Sequence, residues 1–394
     1  MNRLRHFLVT VVAVIAFSLF ARTSFALPRL SVRLGVPCAT CHVNPSGGGM
    51  RNNYGSYVFA PTRLPLAFPG SSTTRVPMQL DIGDSLSFGG DARTALIYQK
   101  PMGGGDGLLS FFQMQADLYV AARLFDGLTA YYDQGAWGSF EAMGIYQKQL
   151  AKSASVYVKA GRFMPTYGLR LENHNLYTRQ DIGFGPRDKD QGVEVGTQLG
   201  PLLVQLSVLN GSPQERQLDD NHSKAFIGRA ETLGRLGPLK LMFGGSVYKN
   251  ETGSVTEVHG ASIDGRTKHS RYGVFGGASL GRLTYLAEAH LVKDDPYSDN
   301  KQDSKTRSFQ SYQELDVLLI RGIELNFNYE FRDPNLDLRT GTIQRISAGF
   351  AIYPMPYLEL TALYRYSFAR GPAGPEVQPL AGLKELIAIA HLYF

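Results

Sequence analysis

The chain has 394 residues, with 40 Lys and Arg against 34 Asp and Glu, for a formal net charge of +6. So weak and dispersed a positive balance gives no basis for nucleic-acid binding. After residue 26 no apolar run reaches the length of a spanning helix, which excludes a membrane protein built of helices but not one built of strands.

The first element is a predicted secretory signal. Arg3, Arg5 and His6 form a basic head, and Phe7 to Phe20 is apolar apart from Thr10 and Ser18. Ser24-Phe25-Ala26 then offers small residues where a signal peptidase reads, so cleavage is expected after Ala26 and residues 1–26 are the signal peptide. The alternative is an uncleaved anchor, against which stand the shortness of the apolar stretch and the small-residue site after it.

Residues 27–75 form a second, different segment without strand periodicity. It holds both cysteines, the cluster Pro45-Ser46-Gly47-Gly48-Gly49, and a connector with Pro61, Pro65 and Pro69. Cys38-Ala39-Thr40-Cys41-His42 is the attachment pattern of a c-type haem. Two thiols three positions apart each reach one haem vinyl group, and the next residue, His42, is held under the ring as the proximal iron ligand. A disulfide, a redox dithiol and half of a zinc site use the same two cysteines. Zinc needs two more soft or imidazole ligands nearby, and the next histidine after His42 is His174. A thioredoxin-type dithiol needs a βαβ context, which the pattern lacks. For the distal iron position the sequence offers Met50, eight residues past His42, then Met78 and His174. A methionine serves more often in packing than as a ligand. A segment this short rarely folds alone. One haem c and docking into a barrel mouth or lumen are its two candidate staples.

From about residue 76 to the end the chain reads as short alternating runs between turn signals. Ile323, Leu325, Phe327, Tyr329 and Phe331 alternate with Glu324, Asn326, Asn328, Glu330 and Arg332. Leu358, Leu360, Ala362, Tyr364, Tyr366 and Phe368 alternate with Glu359, Thr361, Arg365 and Ser367. Val193 and Val195 flank Glu194, and Leu202, Val204, Leu206 and Val208 alternate with Gln205 and Ser207. A soluble sandwich produces the same period.

Connection lengths discriminate better. Tight turns are expected at Asp126-Gly127, Ala151-Lys152-Ser153, Gly200-Pro201, Gly237-Pro238, Gly281-Arg282, Arg321-Gly322 and Pro354 to Pro356. Between them lie long polar connections at 164–189, 211–221, 250–268, 294–306, 333–341 and 369–382. Alternation of short and long predicts an all-β fold, a transmembrane antiparallel β-barrel of about 16 strands over 76–394, with room for an extra strand near 76–88. The 43 Gly, 21 Tyr and 22 Phe beside one Trp suit such a barrel with aromatic girdles. The final His391-Leu392-Tyr393-Phe394 resembles the last strand of outer-membrane barrel proteins, a resemblance that implies a terminal Phe as assembly signature. The connection 164–189 is the third outer loop. It carries Arg170, Glu172, His174, Arg179, Asp181, Arg187, Asp188 and Lys189, suited either to folding inward and narrowing a pore or to a solvated surface.

Signal, one haem pentapeptide and a barrel ending in Phe together resemble the fused porin–cytochrome proteins of the bacterial outer membrane. Gly161-Arg162-Phe163-Met164-Pro165-Thr166-Tyr167-Gly168-Leu169 is similar to the phosphate-selective type of porin. The resemblance implies an electron carrier rather than an enzyme in the ordinary sense, some members being iron oxidases. It implies outer-membrane lipid, periplasmic cytochromes and an extracellular electron donor or acceptor as partners. The competing expectation is a solute or anion porin whose haem segment is a plug or sensor. A peroxidase-like haem protein would need an open distal position.

Overall fold

The computed structural model describes residues 28–66, 80–100, 106–136, 140–171, 173, 175–185, 187–212, 219, 221–258, 261–298, 301–302, 305–338, 341–369 and 380–394, with side chains outside 254–264 and 297–304. The predicted signal peptide, Met78, Glu172, His174 and the boundary predicted between 75 and 76 lie outside the described residues.

Sixteen antiparallel strands close into one barrel. The first eight are β1 (Leu86–Lys100), β2 (Leu108–Phe125), β3 (Leu128–Gly135), β4 (Phe140–Ala151), β5 (Ala154–Phe163), β6 (Asp190–Leu199), β7 (Leu202–Leu209) and β8 (Ala225–Leu236). The rest are β9 (Leu239–Val258), β10 (Ala261–Leu280), β11 (Leu283–Ser298), β12 (Thr306–Ile320), β13 (Ile323–Asp333), β14 (Ile343–Met355), β15 (Leu358–Ala369) and β16 (Lys384–Tyr393). Each strand pairs with its neighbours in sequence, and β16 pairs with β1 from Lys384↔Lys100 to Tyr393↔Asp91. Phe394 completes this seam, its amide and carbonyl exchanging 3.0 Å bonds with Gly90. A closed sheet leaves no backbone edge in lipid. The expected extra strand is a short lead-in, Leu80–Ile82, folded back on Leu86–Phe88.

The seven predicted tight turns fall at strand junctions on one end of the barrel, with Ala151, Pro354 and Met355 still in strand and the last turn made at Pro356-Tyr357. At Gly237 the chain needs φ +58°, a left-handed conformation that glycine adopts without steric cost. The outer connections at 164–189, 211–221, 333–341 and 369–382 lie between strands as read. Two others do not: β9 and β10 pair through to Val258↔Ala261, so most of 250–268 is a strand hairpin rather than a loop. Strand β11 likewise runs to Ser298, where Lys301–Gln302 pair back on it. Polarity alone does not end a strand. Val255, Thr256 and Val258 favour extended backbone, and continued pairing satisfies amides and carbonyls beyond the membrane.

The two faces of the strands decide the solvent. Phe327 is 44% exposed while Glu330 on the same strand is 1% exposed; Leu206 is 62% exposed and its neighbour Gln205 1%. The apolar face points out and the polar face points into the barrel, the reverse of a soluble protein, so lipid covers the outside. Among the described residues no helix is long and apolar enough to cross a membrane, and the crossing is made by strands. Phe327→Arg is therefore expected to cost about 2–4 kcal/mol near the bilayer midplane, and Asn328→Arg much less. Reversible unfolding of both variants in lipid vesicles measures the difference, and equal costs would show that position 327 does not face lipid.

The lumen is filled by two other parts of the chain. The first is the segment 28–66. Helix α1 (Pro28–Leu34) starts on a proline, which lacks only an amide that a first turn leaves unpaired anyway. It ends at Gly35, whose amide bonds the Ser31 carbonyl at 2.7 Å. Val32 is fully buried among Leu169, Leu171, Leu176, Leu233, Met242 and Leu286. Leu30, Cys41, Phe59, Ala60 and Leu64 pack on Ala351, Tyr353 and Tyr393 of the wall. Arg33 pairs with Glu324, and Arg29 donates to the Tyr353 hydroxyl at 3.0 Å. Lys159, buried on β5, bridges Glu194 at 2.9 Å and Ser46 at 2.6 Å. A chain of this length could not bury these groups by itself; the barrel interior supplies the other half of its core.

The second is the third outer loop, which folds inward. Arg179 is fully buried against Glu288. The Tyr177 amide donates to Glu330 at 3.1 Å, Arg345 donates to the Asn175 carbonyl at 2.6 Å, and Arg332 meets Asp181 at 2.6 Å. Of the two sequence readings for this loop, the inward one is the structure.

Candidate functional site

The pentapeptide is shaped by a tight turn. Residues Cys38–Thr40 form a single 3-10 turn, and the Cys38 carbonyl accepts from the amides of Cys41 at 3.1 Å and His42 at 3.2 Å. In such a turn side chains three apart eclipse, so Cys38 and Cys41 present their thiols on one side. The chain then doubles back. Val43 donates to the Met50 carbonyl at 3.0 Å, Asn52 donates to the Cys41 carbonyl at 2.9 Å, and His42 bridges to Arg51. The Asn44 carboxamide accepts from the Ser46 amide at 3.2 Å and hydroxyl at 2.8 Å, a side-chain turn that starts the return.

The glycine cluster makes the return possible. Gly47, Gly48 and Gly49 have φ of +88°, +75° and +63°. A Cβ on Gly47 would stand 2.8 Å from Cys38 Cβ, one on Gly48 2.6 Å from Arg170 Nε, and one on Gly49 2.4 Å from the Tyr131 hydroxyl. Side chains are excluded on all three counts, and a bare backbone lines the space beside the thiols.

His42 Nδ1 lies 3.2 Å from the Gly49 carbonyl oxygen. A carbonyl only accepts, so Nδ1 carries the proton and the lone pair of the neutral ring is on Nε2. That backbone anchor is the one metal-bound imidazoles use to fix their tautomer. The two cysteines are not joined to each other. Enclosure pushes the Cys38 thiol up to about 12 and the Cys41 thiol up to about 11. Burial thus works against the thiolate that an exchange-active dithiol requires. Among the described residues no cluster of His, Cys, Asp and Glu suits a bare metal ion, so a zinc site has no further ligands.

Cys38, Cys41 and His42 all line one cavity of about 750 Å³ within the lumen. It falls in the roughly 300–1,000 Å³ class of small-molecule and cofactor sites. Its wall also includes Gly47 to Gly49, Arg51, Arg93 and Arg170, together with Tyr353, Glu359, His391 and Tyr393. Arg51 lies over the Tyr393 ring at 4.0 Å. The third loop contributes Arg170, Asn175, Gln180, Arg187 and Lys189 to the same wall.

Met50 is 1% exposed, packs among Tyr119, Tyr131, Met143 and Ile145, and is not part of the cavity wall. The wall carries three donors that were not singled out for this purpose: Met114, Met164 and His391. His391 was read only as part of a terminal signature. Alternation along β16, which sets His391 and Glu385 inward, was the available signal.

The barrel can be compared with known proteins. The sequence matches no protein family and no curated protein. Solved structures do match. The anion-selective porin from Comamonas acidovorans superposes with a TM-score of 0.56 at 13% identity, over 79% of this chain and 99% of that one. OmpT of Vibrio cholerae gives 0.52 at 13%, over 80% and 100%. OprB of Pseudomonas putida gives 0.50 at 10%, over 78% and 94%. The fold is that of the outer-membrane porins. Identities this low carry the architecture alone.

Proposed function

We propose that this outer-membrane barrel holds one c-type haem, bound covalently through Cys38 and Cys41 with His42 as proximal iron ligand. It passes electrons between an extracellular donor or acceptor and periplasmic cytochromes across the bacterial outer membrane. The observation that carries this reading is the cavity: the only two cysteines of the chain and the adjacent histidine face a cofactor-sized space inside a lumen filled by the chain itself.

The residues present fit the group. Each thiol adds across one vinyl double bond, sulfur to one carbon and the thiol hydrogen to the other, so attachment needs no oxidant. His42 offers Nε2 with its tautomer fixed by Gly49. The glycine cluster leaves a bare wall beside the thiols, and Arg51 on the cavity wall, which is stacked over Tyr393, suits a propionate. When bound, the haem supplies a one-electron couple whose potential is set by its ligands and surroundings. The protein encloses the couple, excludes bulk water and holds it within the insulating membrane.

Two cations of the loop are paired with wall carboxylates, Arg179 with Glu288 and Lys189 with Asp133 at 3.3 Å, while Arg170 and Arg187 line the cavity and keep the solute-porin reading as the second one.

Denatured protein is expected to stain for haem peroxidase activity on a gel, and Cys38→Ala with Cys41→Ala to abolish the stain. Reconstituted vesicles are expected to reduce a trapped acceptor without leaking small sugars. Staining that survives the double substitution overturns the attachment, and sugar leakage at porin rates overturns the conduit.

A further inference from the structure

We propose that Met114 is the second side-chain ligand of the haem iron, in addition to His42. This rests on the reading of Cys38, Cys41 and His42 as a haem site and names the residue that completes it.

Among the described residues, three further side chains on the cavity wall carry an imidazole or thioether: Met114, Met164 and His391. His391 is committed elsewhere. Its Nε2 lies 2.9 Å from Asp91 and its Nδ1 3.1 Å from Glu359, so both ring nitrogens face carboxylates. Met164 is 8% exposed, and its backbone amide is tied to Glu141 at 2.5 Å. It also borders a second, much smaller pocket with Cys38, Pro45 and Ser46.

Met114 sits at an irregularity in the sheet, across which the Gln113 carboxamide donates to the Arg93 carbonyl at 3.1 Å and to the Gln115 carbonyl at 2.6 Å. Strands β1 and β2 pair in register up to Arg93↔Gln115, and the next pair is Thr94↔Gln113. Met114 is the extra residue, bulged out of the ladder. On the regular part of β2, Asp117 and Tyr119 face the cavity while Leu118 faces lipid. Strict alternation would send Met114 outward with Ala116 and Leu118. The bulge turns it to the cavity wall, next to Gln115. A bulge leaves a residue outside the ladder and locally disrupts the pairing; such bulges recur beside functional sites, where they re-aim a side chain. Met114 is partly buried and is not named in any of the buried apolar clusters of the described residues. Met50, by contrast, is a core residue of one of them. A flexible thioether brought to a cavity wall and left out of the core is available as a soft ligand, and His/Met ligation raises the potential of a c-type haem.

The test is the visible and near-infrared spectrum of the purified holoprotein, with haem staining and heat-modifiable gel mobility as checks on attachment and barrel folding. The oxidised protein is expected to show the sulfur-to-iron charge-transfer band of His/Met ligation. Met114→Leu is expected to keep the covalent haem, lose that band, lower the midpoint potential and bind carbon monoxide readily when reduced. Met114→His is expected to restore a six-coordinate spectrum without the band. Met164→Leu and Met50→Leu are expected to retain it. A band that persists in Met114→Leu, or that Met164→Leu removes, overturns the assignment, as does its absence from the unaltered protein. Loss of haem staining from the unaltered protein would instead overturn the underlying haem reading.

Discussion

Deleting residues 28–66 is expected to turn a closed barrel into an open pore. Barrels of 16–18 strands leave an aqueous channel when nothing fills them, and here the N-terminal segment is the larger of two fillings, the inward third loop being the other. Its contacts with the wall are polar as well as apolar. Arg33 pairs with Glu324, Arg29 reaches Tyr353, and Ser46 meets Lys159. Once the segment is gone, the wall groups are hydrated rather than stranded, because water enters with its removal. The barrel itself keeps every strand pairing, including the β16–β1 seam. In planar bilayers the unaltered protein is expected to give no porin-like ohmic steps and the deletion variant to give them, with vesicle swelling in small sugars changing the same way. Heat-modifiable mobility on a gel reports whether the shortened barrel has folded. A folded deletion variant that stays closed would move the closure to the third outer loop alone, and an unaltered protein that already conducts would remove the basis for a sealed conduit.

The barrel was legible in the sequence because its determinants are local. Strand period, tight turns and loop lengths are each written within about a dozen residues, and a turn such as Gly237-Pro238 reads the same in the chain and in the sheet. The pentapeptide was legible for the same reason. The misreading of 250–268 has a simple origin: polar residues were taken as loop, although a hairpin that leaves the membrane keeps its hydrogen bonds in water. What fills the lumen was legible only as alternatives: docking of 27–75 into the mouth or lumen, and an inward or a solvated 164–189. Whether 164–189 lies in or out depends on partners such as Glu288 and Glu330, more than 100 residues away. Met50 was favoured for its closeness to His42 in sequence, and folding places it in an apolar cluster off the cavity wall. Met114 was invisible because one extra residue in a strand shifts a face without breaking the pattern around it.

Glu288→Ala is expected to destabilise the protein by about 3–5 kcal/mol, the usual cost of stranding one member of a buried ion pair. Glu288 on β11 is the deepest anchor of the third loop. It pairs with Arg179, accepts from the Leu169 amide at 2.9 Å, and lies 2.8 Å from His290 Nε2. All three charged or titratable side chains are fully shielded or nearly so. The loop even makes room for the carboxylate, since a Cβ on Gly168 would stand 2.0 Å from Glu288 Oε1. Removing the carboxylate leaves the Arg179 guanidinium without its counter-charge. The two escapes are unfolding of the barrel and release of the loop toward water, and they read out differently. Urea unfolding in detergent micelles measures the first, and protease cleavage between 170 and 190 measures the second. Replacing both partners, Arg179→Met with Glu288→Met, should recover most of the loss, because no charge then remains buried; the coupling in the double-mutant cycle measures the pair itself. A single-variant cost below about 1 kcal/mol, typical of an exposed pair, would mean that water reaches Arg179 and that the loop does not seal the lumen.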